Sequence, residues 1–283
     1  MKKAIVNADD FGLCRPVNEG IVLAHRKGIL TSATLMANTP GFEEAVALAR
    51  ENPGLGVGVH LNLVRGRPLS EPGDIPGLLG PDGRFLARPG LILRRVVSGR
   101  IKAGAVEREL RAQLERALSS GLPLTHLDSE KHLHAFPPVF RVVLGLAREY
   151  GFGRVRFIRE FRLSRHFGQS LKAAFLSACC ARMKTEVREA GVVNPGAFYG
   201  ISYSGRMTVP TLRRIFGRLG EGTAEIMVHP GFQTRELFAV ESEVGRYYIN
   251  RFRERELRAL LDPGLPAFIR KRGVELVDFR GMS

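Results

Sequence analysis

The chain has 283 residues with 43 Lys and Arg against 28 Asp and Glu, a net charge of +15, and 44% hydrophobic and 25% charged residues. That balance belongs to a globular chain and excludes a disordered or fibrous one. No run reaches the roughly 20 apolar residues of a membrane span, and the start M-K-K-A-I-V has no secretory-leader pattern. Cys14, Cys179 and Cys180 lack the spacing of a metal knuckle or a disulfide framework, so a reducing cytoplasm is the expected compartment.

Short apolar runs alternate with helical periods, the mark of βα units and a mostly parallel sheet. A-I-V-N-A-D-D predicts a first strand, followed by a helix from Val17 to Lys27 that stops at Gly28. S-A-T-L-M-A-N predicts the second strand, Phe42 to Arg50 a helix, and G-L-G-V-G-V-H-L-N-L the third strand. Arg65 to Pro89 is rich in Gly and Pro without a period and reads as a long loop, a length that usually signals function. Val106, Leu110, Leu114 and Leu118 recur every four residues and predict a helix from Ala105 to Ser119. L-P-L-T-H-L-D-S-E predicts the fourth strand, Val139 to Tyr150 a helix, and R-V-R-F-I-R the fifth strand. From Phe161 to Gly191 a helical insertion mixes basic residues with Phe167, Leu171, Phe175 and Leu176, whose spacing places them on one helical face. Thr208 predicts an N-cap with Pro210 in the first turn, and A-E-I-M-V-H-P-G a late strand.

The chemistry-bearing residues fall at strand ends. Asp9 and Asp10 close the first strand and Asn38 the second, while His60 lies near the end of the third. H-L-D-S-E-K-H-L-H closes the fourth, Arg159 the fifth and His229 the late strand. Five of the 7 histidines sit at these places. In parallel α/β sheets and barrels the carboxyl ends of strands form the active site, because their loops converge there. His, Asp and Glu are also the common ligands of Zn²⁺ and similar ions. Adjacent aspartates beside a metal can divide labour, one holding the ion and the other accepting a proton from water. The D-F-G at 10–12 does not indicate a kinase, since neither a glycine-rich loop nor H-R-D accompanies it.

Four motifs together resemble the YdjC-like carbohydrate deacetylases: N-A-D-D-F-G at 7–12, G-V-H-L-N-L at 58–63, H-L-D-S-E-K-H-L-H at 126–134 and E-I-M-V-H-P-G at 225–231. They follow the family's order and span nearly the whole chain. The stretch from Arg188 to Thr208 is similar to the hopanoid-biosynthesis-associated branch. The resemblance implies a single-domain, distorted (β/α) TIM-like barrel. It also implies one divalent ion, Mg²⁺ or Zn²⁺, and hydrolysis of the N-acetyl group of an amino sugar.

By the same resemblance Asp10, His60 and Glu130 are the metal ligands, Asp9 the general base and His229 the general acid. The family usually carries His where this chain has Glu130. Glu remains a legitimate oxygen ligand, and His132 is the reserve, since residues 126 to 134 share one face if the strand stays extended. His126, His134, Asn38 and Arg159 are expected to contact substrate or support the ligands, and Asp128 to orient a histidine.

The branch, the +15 charge and the basic helix together point to a lipid-linked sugar and peripheral contact with an anionic membrane. Other readings are a metal hydrolase of a phosphodiester or cyclic amide, and a carbohydrate-binding protein whose metal site has decayed. Self-association to a homodimer stays open. Nucleic acid is disfavoured, as the chain has no zinc-finger spacing and no aromatic–basic interleaving.

Overall fold

The computed structural model describes residues 1–160, 167–240 and 252–282. Its framework is a parallel seven-stranded sheet, with strands β1 (Lys2–Phe11), β2 (Ser32–Leu35), β3 (Gly56–Leu61), β4 (Leu124–Ser129), β5 (Ala197–Tyr199), β6 (Gly222–Val228) and β7 (Val274–Leu276). The order is β4-β3-β2-β1-β6-β5, and β7 pairs with Lys2 to Ala4 of β1. Central strands are covered on both faces, so they read as unbroken apolar runs, and Ala4, Ile5, Val6 and Ala8 of β1 are wholly buried.

The R-V-R-F-I-R stretch differs from expectation. It forms only isolated bridges at Arg154 and Val155, not a regular strand. It still joins the two edges of the sheet: the Leu127 N–H donates to Arg154 O, the Arg156 N–H to Leu127 O, and the Phe198 N–H to Arg159 O. The sheet therefore curls into a distorted barrel, with one irregular stave where β4 and β5 approach.

Helices α1 (Arg15–Lys27), α2 (Phe42–Arg50), α3 (Pro89–Val97), α4 (Ala103–Ser119) and α5 (Pro137–Glu149) follow, and α4 stops before Gly121 with its positive φ of 68°. The sequence reading missed α3, β5 and β7, each too short or too near a Gly/Pro run to show a period. Between β3 and α3 the long loop is real, and Glu109 of α4 accepts hydrogen bonds from the Leu69 and Ser70 backbone to fix it. Ahead of α8 (Val209–Phe216), Thr208 occupies the N-cap position without making a side-chain cap, since its hydroxyl faces Thr211.

The expected insertion is two helices, α6 (Phe167–Arg182) and α7 (Lys184–Glu189), while 161–166 lies outside the described residues. Its apolar residues do not share one environment. Phe167, Leu171 and Phe175 are exposed, whereas Leu176 is buried with Ser170, Ala173 and Cys180 on the face that packs against the barrel. No helix among the described residues is long and apolar enough to cross a membrane.

Close helix–loop packing at the site end depends on Gly20 of α1. A Cβ there would lie 2.6 Å from Gly231 Cα, in the loop that follows His229. Gly20→Ala should therefore destabilise the fold by about 1–3 kcal/mol through overpacking. Gly145→Ala, on α5 with nothing within 4 Å, should raise stability by about 0.5–1 kcal/mol from helix propensity. Urea-midpoint measurements on both variants check the contrast, and equal effects would contradict it.

Candidate active site

Successive residues of a strand normally point to opposite faces. At the end of β1 the register with β2 breaks between Ala8 and Phe11, and Asp10 takes a positive φ of 71°. This irregularity brings Asp9 and Asp10 to the same end of the barrel, each within reach of His60. The strained, sparsely populated conformation is tolerated where surrounding contacts over-determine it.

A similar break follows β4. The strand ends at Ser129, and Lys131 and His132 turn through φ of 53° and 59°. Residues 126 to 134 therefore do not share one face as an extended strand would. Glu130 points toward His60, while the His132 ring packs edge-on against Phe198 and His134. His132 lies outside the group of donor atoms that converge, so it is not placed as the reserve ligand.

Three donor atoms converge. His60 Nε2 is 3.3 Å from Glu130 Oε2 and 3.9 Å from Asp10 Oδ1, and all three side chains are buried. The other oxygen of each carboxylate is taken by a buried arginine. Arg65 Nη2 donates to Glu130 Oε1 at 2.6 Å, and Arg253 Nη2 pairs with Asp10 Oδ2. The second His60 nitrogen, Nδ1, faces Asp128 Oδ1 at 2.7 Å, which makes Asp128 the group that orients this ring. Two states satisfy this geometry. One is an imidazolium donating to Glu130, and the other a neutral ring whose Nε2 lone pair joins two carboxylates around a cation. Burial opposes charge on His60, but Asp128 and then Glu130 lift its pKa well above the ordinary range.

Asp9 is held differently. Arg156 grips both its oxygens, Nη1 to Oδ2 at 2.9 Å and Nη2 to Oδ1 at 2.6 Å. The same guanidinium reaches Asp128 Oδ2 and Glu225 Oε1, each at 2.7 Å. Burial would raise the Asp9 carboxyl, yet Arg156 holds it below its ordinary value. His229, just past β6, is half-buried, and its backbone N–H donates to Glu256 Oε2 at 2.7 Å. Burial pushes its ring down to about 4, while Asp9 and Asp10 pull the other way. Asp9, Glu130 and His229 line one cleft with His132 and Lys172.

The remaining expected residues lie outside the converging donor group. His126 stacks on Phe279 with ring centroids 3.4 Å apart, deeper in the barrel than Asp128. His134 Nδ1 meets the Ser129 hydroxyl and fixes the turn after β4. Asn38 donates to Arg65 O and Arg67 O and accepts from Asn62, so it anchors the loop that delivers Arg65. Arg159 is exposed beside a surface pocket that Phe157, Lys184 and Arg188 also line, and its carbonyl accepts from the Phe198 N–H.

Sequence reasoning missed Arg65, Arg156, Arg253 and Glu225. Arg156 and Glu225 had a usable signal, a charge set within a strand that is otherwise apolar.

A profile of the YdjC-like protein family matches residues 3–271. A carbohydrate deacetylase of Brevibacillus brevis is 38% identical over 278 residues, 98% of each chain. One from Geobacillus stearothermophilus is 38% identical over 277 residues, 98% of this chain and 96% of the relative. Among solved structures, an Enterococcus faecalis V583 protein with a proposed role in cellobiose-phosphate cleavage superposes with a TM-score of 0.78. It is 26% identical, and the match covers 99% of this chain and 98% of that one.

Beside the cleft, Glu160 accepts hydrogen bonds from the Gly200, Ile201 and Ser202 backbone, and burial pushes its carboxyl up from 4.5 to about 7. A raised folded-state pKa means that stability is fully present below 4.5 and is lost as pH rises through 7. Relative to Glu160→Gln, the native chain should therefore lose up to about 3 kcal/mol of stability between pH 4.5 and pH 8. Urea unfolding of both proteins across that range tests this, and a pH-independent difference would refute it.

Proposed function

The chain belongs to the YdjC-like protein family, and we propose that it is a divalent-metal-dependent hydrolase that removes the N-acetyl group from an amino sugar. The observation that carries this reading is the convergence of Asp10 Oδ1, His60 Nε2 and Glu130 Oε2 beside Asp9 and His229. The donor set fits a divalent ion. It combines one imidazole and two carboxylate oxygens, and each carboxylate is braced from behind by its arginine. Two oxygens and one nitrogen suit Mg²⁺ or Mn²⁺ as well as Zn²⁺.

A bound ion would polarise the acetyl carbonyl and lower the pKa of water from about 16 towards 7. The protein supplies the rest. Asp9, kept ionised by Arg156, accepts a proton from the attacking water as its oxygen bonds to the carbonyl carbon. The proton that Asp9 takes from water is delivered through His229 to the sugar nitrogen as the C–N bond breaks, leaving acetate and a free amine. Negative charge developing next to the ring raises its proton affinity at that stage. Asp128 keeps the His60 ring in place throughout.

The substrate is further read as an amino sugar on an apolar carrier at an anionic membrane. Gln169 and Lys172 of α6 line the cleft, so the exposed Phe167, Leu171 and Phe175 of the same helix stand at its lip. An apolar aglycone leaving the cleft would meet them.

A screen of N-acetylated sugars and glycolipids with and without Mg²⁺, Mn²⁺ and Zn²⁺, reading acetate, tests the function. Absence of acetate under every metal would overturn it. Asp9→Asn should keep its metal by elemental analysis and lose at least about 10²-fold in kcat; near-normal turnover would remove Asp9 as the base. Glu130→His should retain metal binding, whereas His60→Ala should lose it. Replacing Phe167, Leu171 and Phe175 by Ser should abolish co-sedimentation with anionic vesicles, and unchanged sedimentation would defeat the membrane reading.

A further inference from the structure

A cavity of about 700 Å³ lies between α6, α7, the 191–196 segment and the irregular stave. It shares no lining residue with the cleft that holds Asp9 and His229. Its volume falls in the span of pockets that take one small molecule, roughly 300–1,000 Å³. Phe157, Ile158, Val187 and Val192, all buried, give it an apolar wall.

The charges at this cavity have one sign. Lys184 and Arg188 of α7 line it together with Arg159, and no Asp or Glu does among the described residues. Residues four apart share a helix face, where like charges weaken the helix instead of supporting it. Glu186, the acidic residue between them, pairs with Arg141 at 3.3 Å. Neither Lys184 nor Arg188 has an ion-pair partner among the described residues. The Ser177 hydroxyl is engaged, donating to Ala173 O and accepting from the Glu160 N–H. Asn194, by contrast, is half-buried, and its amide makes no hydrogen bond with the described residues. An apolar wall left in water and a like-charged pair are both relieved by one kind of molecule, an apolar body with an anionic head.

We propose that this cavity binds a fatty carboxylate. Its alkyl chain lies against Phe157, Ile158, Val187 and Val192, and its head meets Lys184, Arg188 and Asn194. A membrane surface is a poorer match, because these apolar side chains are buried while Phe167, Leu171 and Phe175 are exposed. The site does not depend on the deacetylase reading. Phe157 directly follows Arg156, so the occupant packs on the segment that holds Asp9.

Calorimetry on the native chain compares decanoate, below its micellar concentration, with decanol and acetate, which carry the tail or the head alone. Decanoate should bind at least about tenfold more tightly than either. In a Lys184→Gln, Arg188→Gln variant decanoate should weaken at least about tenfold while decanol is unchanged. Both positions are exposed and Gln is a good helix former, so the fold is kept. Ala181→Phe, at an exposed helical position on the cavity wall, should weaken decanoate and decanol alike. No decanoate binding by the native chain, or equal affinity in the native chain and the double variant, would overturn the site. Sedimentation with phosphatidylglycerol vesicles separates the competing partner. Loss of vesicle binding in the double variant with decanoate affinity retained would assign Lys184 and Arg188 to a membrane surface and overturn the proposal as well.

Discussion

The Arg156 guanidinium is wholly buried among Asp9, Asp128 and Glu225, with the Phe198 ring 5.3 Å from its centre. A charge so far from water is tolerable only when it is paired and hydrogen-bonded, and removing either side of such a pair typically costs about 3–5 kcal/mol. The requirement reaches across the barrel, because the partners come from β1, β4 and β6 while Arg156 sits on the irregular stave. Asp9 and Asp128 are thereby fixed in one frame. Through Asp128 the same frame sets the His60 ring, so the proposed base and the proposed ligand group are positioned by one side chain.

The other two arginines work on the same plan. Arg65 and Arg253 each occupy one oxygen of a carboxylate and leave the second oxygen facing His60. Planar guanidinium groups suit this because they stay charged and direct their donors in a fixed fork. Backbone irregularities complete the arrangement. A regular β1 would send Asp9 and Asp10 to opposite faces, and a longer β4 would carry Glu130 past His60.

Much of the architecture could be read from the sequence. Apolar runs ending in Asp9–Asp10, His60 and Asp128 located the strands, and the four-residue recurrence of Val106 to Leu118 located α4. Those strand ends are where Asp10, His60 and Glu130 meet. What stayed hidden depends on tertiary geometry. Arg65 follows a loop whose shape is set by Asn38, Asn62 and Glu109, and Arg253 comes from a charged helix that gives no hint which of its arginines points inward. His132 and Arg159 were placed by extending strands past their real ends. No periodicity could have shown that Lys131 and His132 turn left-handed.

Arg156→Lys tests the central claim most directly, since it keeps the buried positive charge and removes the fork that grips both Asp9 oxygens. Steady-state acetate release by the folded variant should show kcat reduced by at least about 10²-fold with KM little changed, as a base that is present but misaligned demands. A kcat within about threefold of the native value would contradict the account, because it would mean that Asp9 acts without the geometry Arg156 imposes.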